Sequence, residues 1–189
     1  MKELLILGAG TSGTMMSNSL RKALPQEKWN ISIVDVEDTH YYQPGFLFLP
    51  FDIYTPKQLK RNIDAFIPKG VHLIQNKIDR IDKDQNTVIL QDGVNIRYDI
   101  LIIATGCHIA PEEIEGMQGP SWHKTIFDFY TFDGAKNLRD KLRDWKGGKL
   151  VVHISEMPIK CPVAPLEFAF LCDSYFSNNN MRDQVEITY

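Results

Sequence analysis

Cysteine is scarce in this chain of 189 residues: Cys107, Cys161 and Cys172 are the only three. So few, and an odd number, exclude the disulfide framework of a small secreted domain and fit a reducing compartment or a redox-active thiol. Basic residues are not in excess. The formal net charge is −3, which leaves no electropositive footprint for nucleic acid. No apolar run approaches the roughly 18 residues of a membrane span. The first such run, residues 3–7, meets Gly8 and Gly10 at once, so it lacks the longer apolar region and cleavage site of a secretory signal. Glycine is absent from residues 149–189. What remains is ordinary for a globular protein, with 43% hydrophobic and 24% charged residues.

The chain is long enough for one full domain and part of a second. Residues 3–7 read as a buried parallel strand, residues 12–24 as a helix stopping before Pro25, and residues 31–36 as a second strand. Together they make a βαβ unit. A loop rich in proline and aromatics follows over residues 40–52. Thr55-Pro56 then resembles an N-cap with proline at the first helical position and predicts a helix to about Phe66. Short strand-like pieces at 71–74, 77–81, 87–90 and 95–98, punctuated by Asp84-Gln85-Asn86 and Asp92-Gly93, predict an antiparallel meander. Residues 99–106 form another apolar strand ending in a tight turn. Beyond them come a helix near 134–145, a break at Gly147-Gly148, a strand at 149–155, a helix at 165–176 and the opening of a strand at 184–189. That second βαβ unit stops as soon as it starts, and alone it cannot build a layered core. The expectation is a chain that continues in the natural protein.

Gly8-Ala9-Gly10-Thr11-Ser12-Gly13 has the G-x-G-x-x-G pattern between a strand and a helix. Gly8 permits the tight turn, Gly10 lets a pyrophosphate approach the backbone, and Gly13 lets helix and strand pack closely. The free N–H groups at the helix start, at Thr11 and Ser12, favour phosphate. Asp35 ends the second strand, where a carboxylate accepts hydrogen bonds from ribose hydroxyls; an acid there argues against NADP. The loop does not distinguish FAD from NAD. The meander followed by Ala104-Thr105-Gly106 does, because it resembles the two-dinucleotide-fold flavoproteins. In those an Ala-Thr-Gly turn closes the FAD domain, which assigns Thr105 and Gly106 an FAD-proximal role.

The second unit lacks what a nicotinamide site needs. Its turn holds no glycine, and Pro158, Pro162 and Pro165 remove N–H donors. In place of a phosphate loop stands Lys160-Cys161-Pro162, just before a helix. A thiol beside a lysine and a helix N-terminus is expected to favour the thiolate, the form that attacks sulfur or a flavin ring. Glu167, on the first turns of that helix, is a proton acceptor if its surroundings are apolar; a solvated or capping glutamate is the equal alternative. Cys172 reads as core. No metal site is expected.

With these residues in hand, the chain resembles the sulfide:quinone oxidoreductases. The resemblance rests on the glycine loop, His40-Tyr41-Tyr42-Gln43-Pro44-Gly45, Ala104-Thr105-Gly106 and Lys160-Cys161-Pro162-Val163-Ala164-Pro165. It spans nearly all of this chain but only about the first half of a family member. It implies an α/β fold: a Rossmann-like FAD-binding domain with an inserted antiparallel meander at residues 1–110, a connecting segment at 111–148, and a truncated second Rossmann-like unit at 149–189. It further implies FAD as cofactor, sulfide and a quinone as partners, and contact with a membrane surface through a C-terminal part. Cys161 then matches one of two essential cysteines beside the flavin. The implied location is cytoplasmic or peripheral on the cell membrane, with homo-oligomerisation left open. Many members carry a further cysteine where residues 116–124 here have none, so mechanisms needing that cysteine do not carry over. The rival readings are an NADH:quinone dehydrogenase, a flavocytochrome c sulfide dehydrogenase, and a nucleotide-binding piece without activity.

Overall fold

Residues 4–7, apolar without interruption, end a strand buried on both faces, β1 (Lys2–Leu7). The chain turns through glycines into α1 (Thr11–Ala23) and returns as β2 (Trp29–Asp35), parallel to β1 with Leu4 opposite Ile31 and Leu7 opposite Val34. In the computed structural model, which describes residues 1–189, this βαβ unit is the centre of the first of two compact units. The first comprises residues 1–42 and 60–108, and the second residues 43–59 and 109–189. Helix α1 closes with Arg21 and Lys22 in its last turn, where cations suit the helix dipole. The Arg21 guanidinium donates to the carbonyls of Leu24 (2.6 Å), Trp29 (3.2 Å) and Gly70 (3.2 Å) and so ties the helix end to two neighbouring loops.

The first unit continues with β3 (Thr39–Tyr41), β4 (Lys60–Asn62), β5 (Val71–Gln75), a meander of β6 (Ile78–Asp82), β7 (Thr87–Leu90) and β8 (Asn95–Arg97), and β9 (Ile100–Ile103). The main sheet is parallel throughout, in the order β5-β2-β1-β9. Alternate residues serve opposite faces. Leu4, Ile6, Ile31 and Ile33 pack with Leu20 of α1 and Leu24, the residue that caps its end. Leu5, Leu7 and Val34 pack with Val88 and Leu90 of the meander. Helix and meander thus cover the two sides of one sheet, the α/β architecture read from the sequence.

Two expectations fail here. Residues 71–74 are not part of the meander. They form β5, paired in parallel with β2 so that Val71 lies opposite Ile31, because their apolar side chains complete the α1 face of the core. Residues 55–66 are not an α-helix. The Thr55 N–H and hydroxyl both donate to the Gln58 side-chain oxygen (2.8 and 2.9 Å), closing a single turn. Leu59 is then buried, and β4 pairs antiparallel with β3 before a short 3-10 turn, Ile63–Phe66. Cross-strand pairing overrides the local helix signal.

In the second unit, α2 (Phe132–Asp144) buries Ala135, Leu138 and Leu142 along one stripe. The strand β10 (Gly148–Val151), the helix α3 (Ala164–Asn178) and the strand β11 (Val185–Thr188) make a second βαβ unit with β10 and β11 parallel. Helix α3 buries Phe168, Cys172 and Phe176 at four-residue steps. Residues 43–59 join this unit through Phe51, whose ring lies 5.3 Å from Phe168 and 5.7 Å from Tyr175. Asp52 adds a two-pronged pair with Arg143 at 2.6 and 2.9 Å. No helix is long and apolar enough to cross a membrane.

Candidate nucleotide cradle and redox cysteine

The glycine loop is built by collisions that only glycine avoids. Gly8 sits at φ +92°, and a Cβ there would strike the Ala104 carbonyl. The turn after β1 therefore lies directly against the Ala104-Thr105-Gly106 turn after β9. A Cβ on Gly13 would overlap the Gly8 carbonyl oxygen, so α1 starts against the turn itself. Gly10, by contrast, faces open space, as does Gly106 at φ +71°. Gly10 is also the residue that caps α1. No side chain caps that end and no acid occupies its first turn. Thr11 and Ser12 are exposed beside it. The N–H groups of the first helical turn are thus unspent and accessible, with room where a pyrophosphate would approach. On this geometry the residues present fit a dinucleotide.

Asp35 does more than the sequence indicated. One carboxylate oxygen accepts from the Ala9 N–H at 2.5 Å, and the other from the Glu37 N–H at 3.0 Å. The side chain therefore braces the loop from β2 and keeps lone pairs for a further donor. His40 places Nδ1 3.2 Å from the Ala9 carbonyl oxygen and its ring 4.2 Å from Phe66, a support the sequence did not point to.

Cys161 belongs to the second unit. It is exposed and sits in the left-handed region at φ 51°, at the turn that opens α3. Its carbonyl accepts from the Ala164 N–H (3.0 Å) and the Tyr130 hydroxyl (3.4 Å). Burial first, and the neighbouring Cys161 second, push the Tyr130 phenol above its ordinary value. The Lys160 ammonium donates to the Gln43 side-chain oxygen at 2.5 Å. Glu167 lies in the first turn of α3 and is exposed. Cys107 is exposed just past Gly106, whereas Cys172 is fully buried, and burial pushes its thiol up to about 12. The segment carrying Tyr130 is itself anchored by Asp128. Its carboxylate accepts from the N–H groups of Tyr130 (3.0 Å) and Thr131 (2.7 Å), from the Thr131 hydroxyl (3.2 Å), and lies 3.3 Å from His123 Nε2. Neither Tyr130 nor Asp128 carries a local sequence signal; both are found only through long-range packing.

Residues 2–153 match the pyridine nucleotide-disulphide oxidoreductase family over most of the chain. The chain belongs to that family. Among similar proteins, the mitochondrial sulfide:quinone oxidoreductase of Dictyostelium discoideum is 25% identical over 188 residues, covering 99% of this chain and 41% of its own length. The type II NADH:quinone oxidoreductase of Staphylococcus aureus is 26% identical over 150 residues, covering 78% of this chain and 37% of its own. In structure, the sulfide:quinone oxidoreductase of Aquifex aeolicus superposes with a TM-score of 0.79 at 22% identity, covering 98% of this chain and 42% of that one. The chain therefore shares the fold of that solved structure over its matched part. The chain spans about two-fifths of the length of the curated relatives it matches. For a member of this family, the cradle at Gly8–Gly13 falls inside the matched residues, and Cys161 lies just beyond them.

Proposed function

We propose that this chain carries the FAD cradle and one redox cysteine of a sulfide:quinone oxidoreductase. The observation that carries the reading is Cys161, an exposed thiol at a left-handed turn that opens α3 in a unit whose corresponding loop holds no glycine. A nicotinamide dinucleotide would find few backbone donors there, and a sulfur nucleophile would find an accessible partner.

In this reading Gly8, Gly10 and Gly13 admit the pyrophosphate to the start of α1, with the Thr11 and Ser12 N–H groups as donors. Asp35 takes a ribose hydroxyl with the lone pairs left after bracing Ala9. Thr105 and Gly106 form the turn on the flavin side. FAD, when bound, supplies a two-electron acceptor that can be emptied into a quinone. Cys161 would take up the sulfur of hydrosulfide as a persulfide, a two-electron oxidation whose electrons would pass to the bound FAD, and Glu167, exposed in the first turn of α3, would receive the proton that hydrosulfide gives up. The first unit, residues 1–42 and 60–108, then serves to hold the flavin, and the second, residues 43–59 and 109–189, presents the cysteine, in place of the expected division at 1–110, 111–148 and 149–189. A quinone acceptor implies work at a membrane surface.

The test is an anaerobic titration of the flavin-loaded protein, followed by its visible absorbance. Bleaching by sulfide but not by NADH, lost in Cys161→Ser, is the expected result. Bleaching by NADH alone would replace this reading with the NADH:quinone one. Undiminished sulfide bleaching in Cys161→Ser would remove Cys161 from the chemistry.

A further inference from the structure

The cations that form ion pairs in the second unit meet carboxylates: Arg139 with Asp140, Arg143 with Asp52, Lys149 with Glu186 and Arg182 with Asp173. His123 with Asp128 repeats the pattern. Lys160 is one of the unit's cations outside these pairs. Its ammonium is held at 2.5 Å by the amide oxygen of Gln43, 117 positions away in sequence, and it enters no ion pair. The difference is physical. A carboxylate both orients an ammonium and cancels its field. An amide oxygen orients it and leaves the full positive charge. The two partners sit in Tyr42-Gln43-Pro44-Gly45 and Lys160-Cys161-Pro162, two of the segments that carry the resemblance.

The residue next to that charge is the exposed Cys161, whose carbonyl is pinned by Tyr130 and the Ala164 N–H. The turn that carries both side chains is therefore fixed at its other end. The chain as a whole has a formal charge of −3, which repels small anions. Lys160 brings a positive charge to the turn that carries Cys161, one residue away in sequence.

We infer that Gln43 is a positioning residue that holds Lys160, the neighbour of Cys161 in sequence, with its charge intact, and that the site thereby favours anionic sulfur substrates, hydrosulfide above neutral thiols. The inference rests on the reading of Cys161 as the sulfur-handling residue. It assigns to Gln43 no contact with the reacting atoms; Gln43 acts through Lys160.

The test compares two alkylating agents on the same thiol, anionic iodoacetate and neutral iodoacetamide, with adducts at Cys161 and Cys107 quantified by peptide mass spectrometry. Both reagents need the thiolate, so thiol ionisation cancels in the ratio of their rates, and only the local charge remains. Exposed Cys107 serves as the reference within each sample. The expected ratio of iodoacetate to iodoacetamide is higher at Cys161 than at Cys107. Gln43→Glu, isosteric and at an exposed position, lowers it about two- to threefold, the effect of cancelling one charge several ångströms away in water. Lys160→Gln lowers it similarly, Lys160→Arg keeps it, and high salt erases the differences. A Cys161 ratio equal to that of Cys107, or unchanged by Gln43→Glu, overturns the inference while leaving the sulfide reading in place. The sulfide reading fails by its own measurement, sulfide bleaching that survives Cys161→Ser.

Discussion

Replacing Asp128 tests how the cysteine-bearing unit is held together. The Asp128 side chain is only 9% exposed and is the shared acceptor for two backbone N–H groups, one hydroxyl and one imidazole. Hydrogen bonds to a charged acceptor contribute about 1.5 kcal/mol or more each. The two backbone bonds then account for about 3 kcal/mol, and the Thr131 hydroxyl and His123, which water can partly satisfy, add roughly 1 kcal/mol. Asp128→Ala is expected to cost about 3–4 kcal/mol, since it also leaves the donors of a part-buried turn unpaired. Asp128→Asn keeps one acceptor oxygen and should cost about half as much. The assay is urea unfolding followed by tryptophan fluorescence, with Trp122 and Trp145 both in the second unit. With a slope of about 2 kcal/mol per molar urea, the alanine midpoint falls by about 1.5–2 M. A fall below about 0.3 M, or equal falls for alanine and asparagine, would refute the claim that this carboxylate anchors the Tyr130 segment. The loss should reach the cysteine as well. Tyr130 and Phe129 directly follow Asp128, one bonded to the Cys161 carbonyl and the other stacked on Phe168 at 4.6 Å.

Other perturbations separate the two units. Gly13→Ala forces α1 away from the Gly8 turn and should both lower stability and release flavin on gel filtration, whereas Gly10→Ala, facing open space, should fold normally and weaken only flavin retention. Phe51→Ala empties a core site between Phe168 and Tyr175 and should cost about 3–4 kcal/mol in the second unit's transition, with no change in flavin retention by the first. The Cys172 thiol, pushed up to about 12 from 9.0, holds its proton in the folded state where the unfolded chain has lost it. Its contribution is therefore complete below about pH 9 and is lost as pH rises toward 12, so Cys172→Ala should flatten the alkaline decline of the unfolding midpoint.

The parts of the fold set by local pattern could be read from the chain, and those set by distant partners could not. The run at residues 4–7, the glycine loop and the proline after α1 each carry their own physical signal, and β1, α1 and β2 lie where that signal puts them. Residues 55–66 carry a helix-start signal too, but β4 has a partner in β3, and ladder pairing outweighs one Thr-Pro cap. Residues 71–74 look like any short apolar strand; only the parallel register with β2 moves them from the meander to the main sheet. At the candidate site, Cys161 and Gly8–Gly13 stand out in the sequence because their residue types are chemically singular. Tyr130, Asp128 and the bond from Lys160 to Gln43 do not, since each depends on a contact that spacing along the chain does not encode.

The excursion of residues 43–59 out of the first unit has a consequence for how the protein is made. Phe51 leaves the ribosome 117 residues ahead of Phe168, its core partner (168 − 51), with the whole of residues 60–108 emerging between them. The second unit cannot complete its core until Phe168, Phe176 and Val185 have been synthesised, and until then Phe51 is an apolar side chain without its burial. The same stitch means that no single cut separates the units. Cleavage after residue 108 would leave Phe51 and its neighbours in residues 43–59 covalently attached to the first unit, a hydrophobic loop without its core partners.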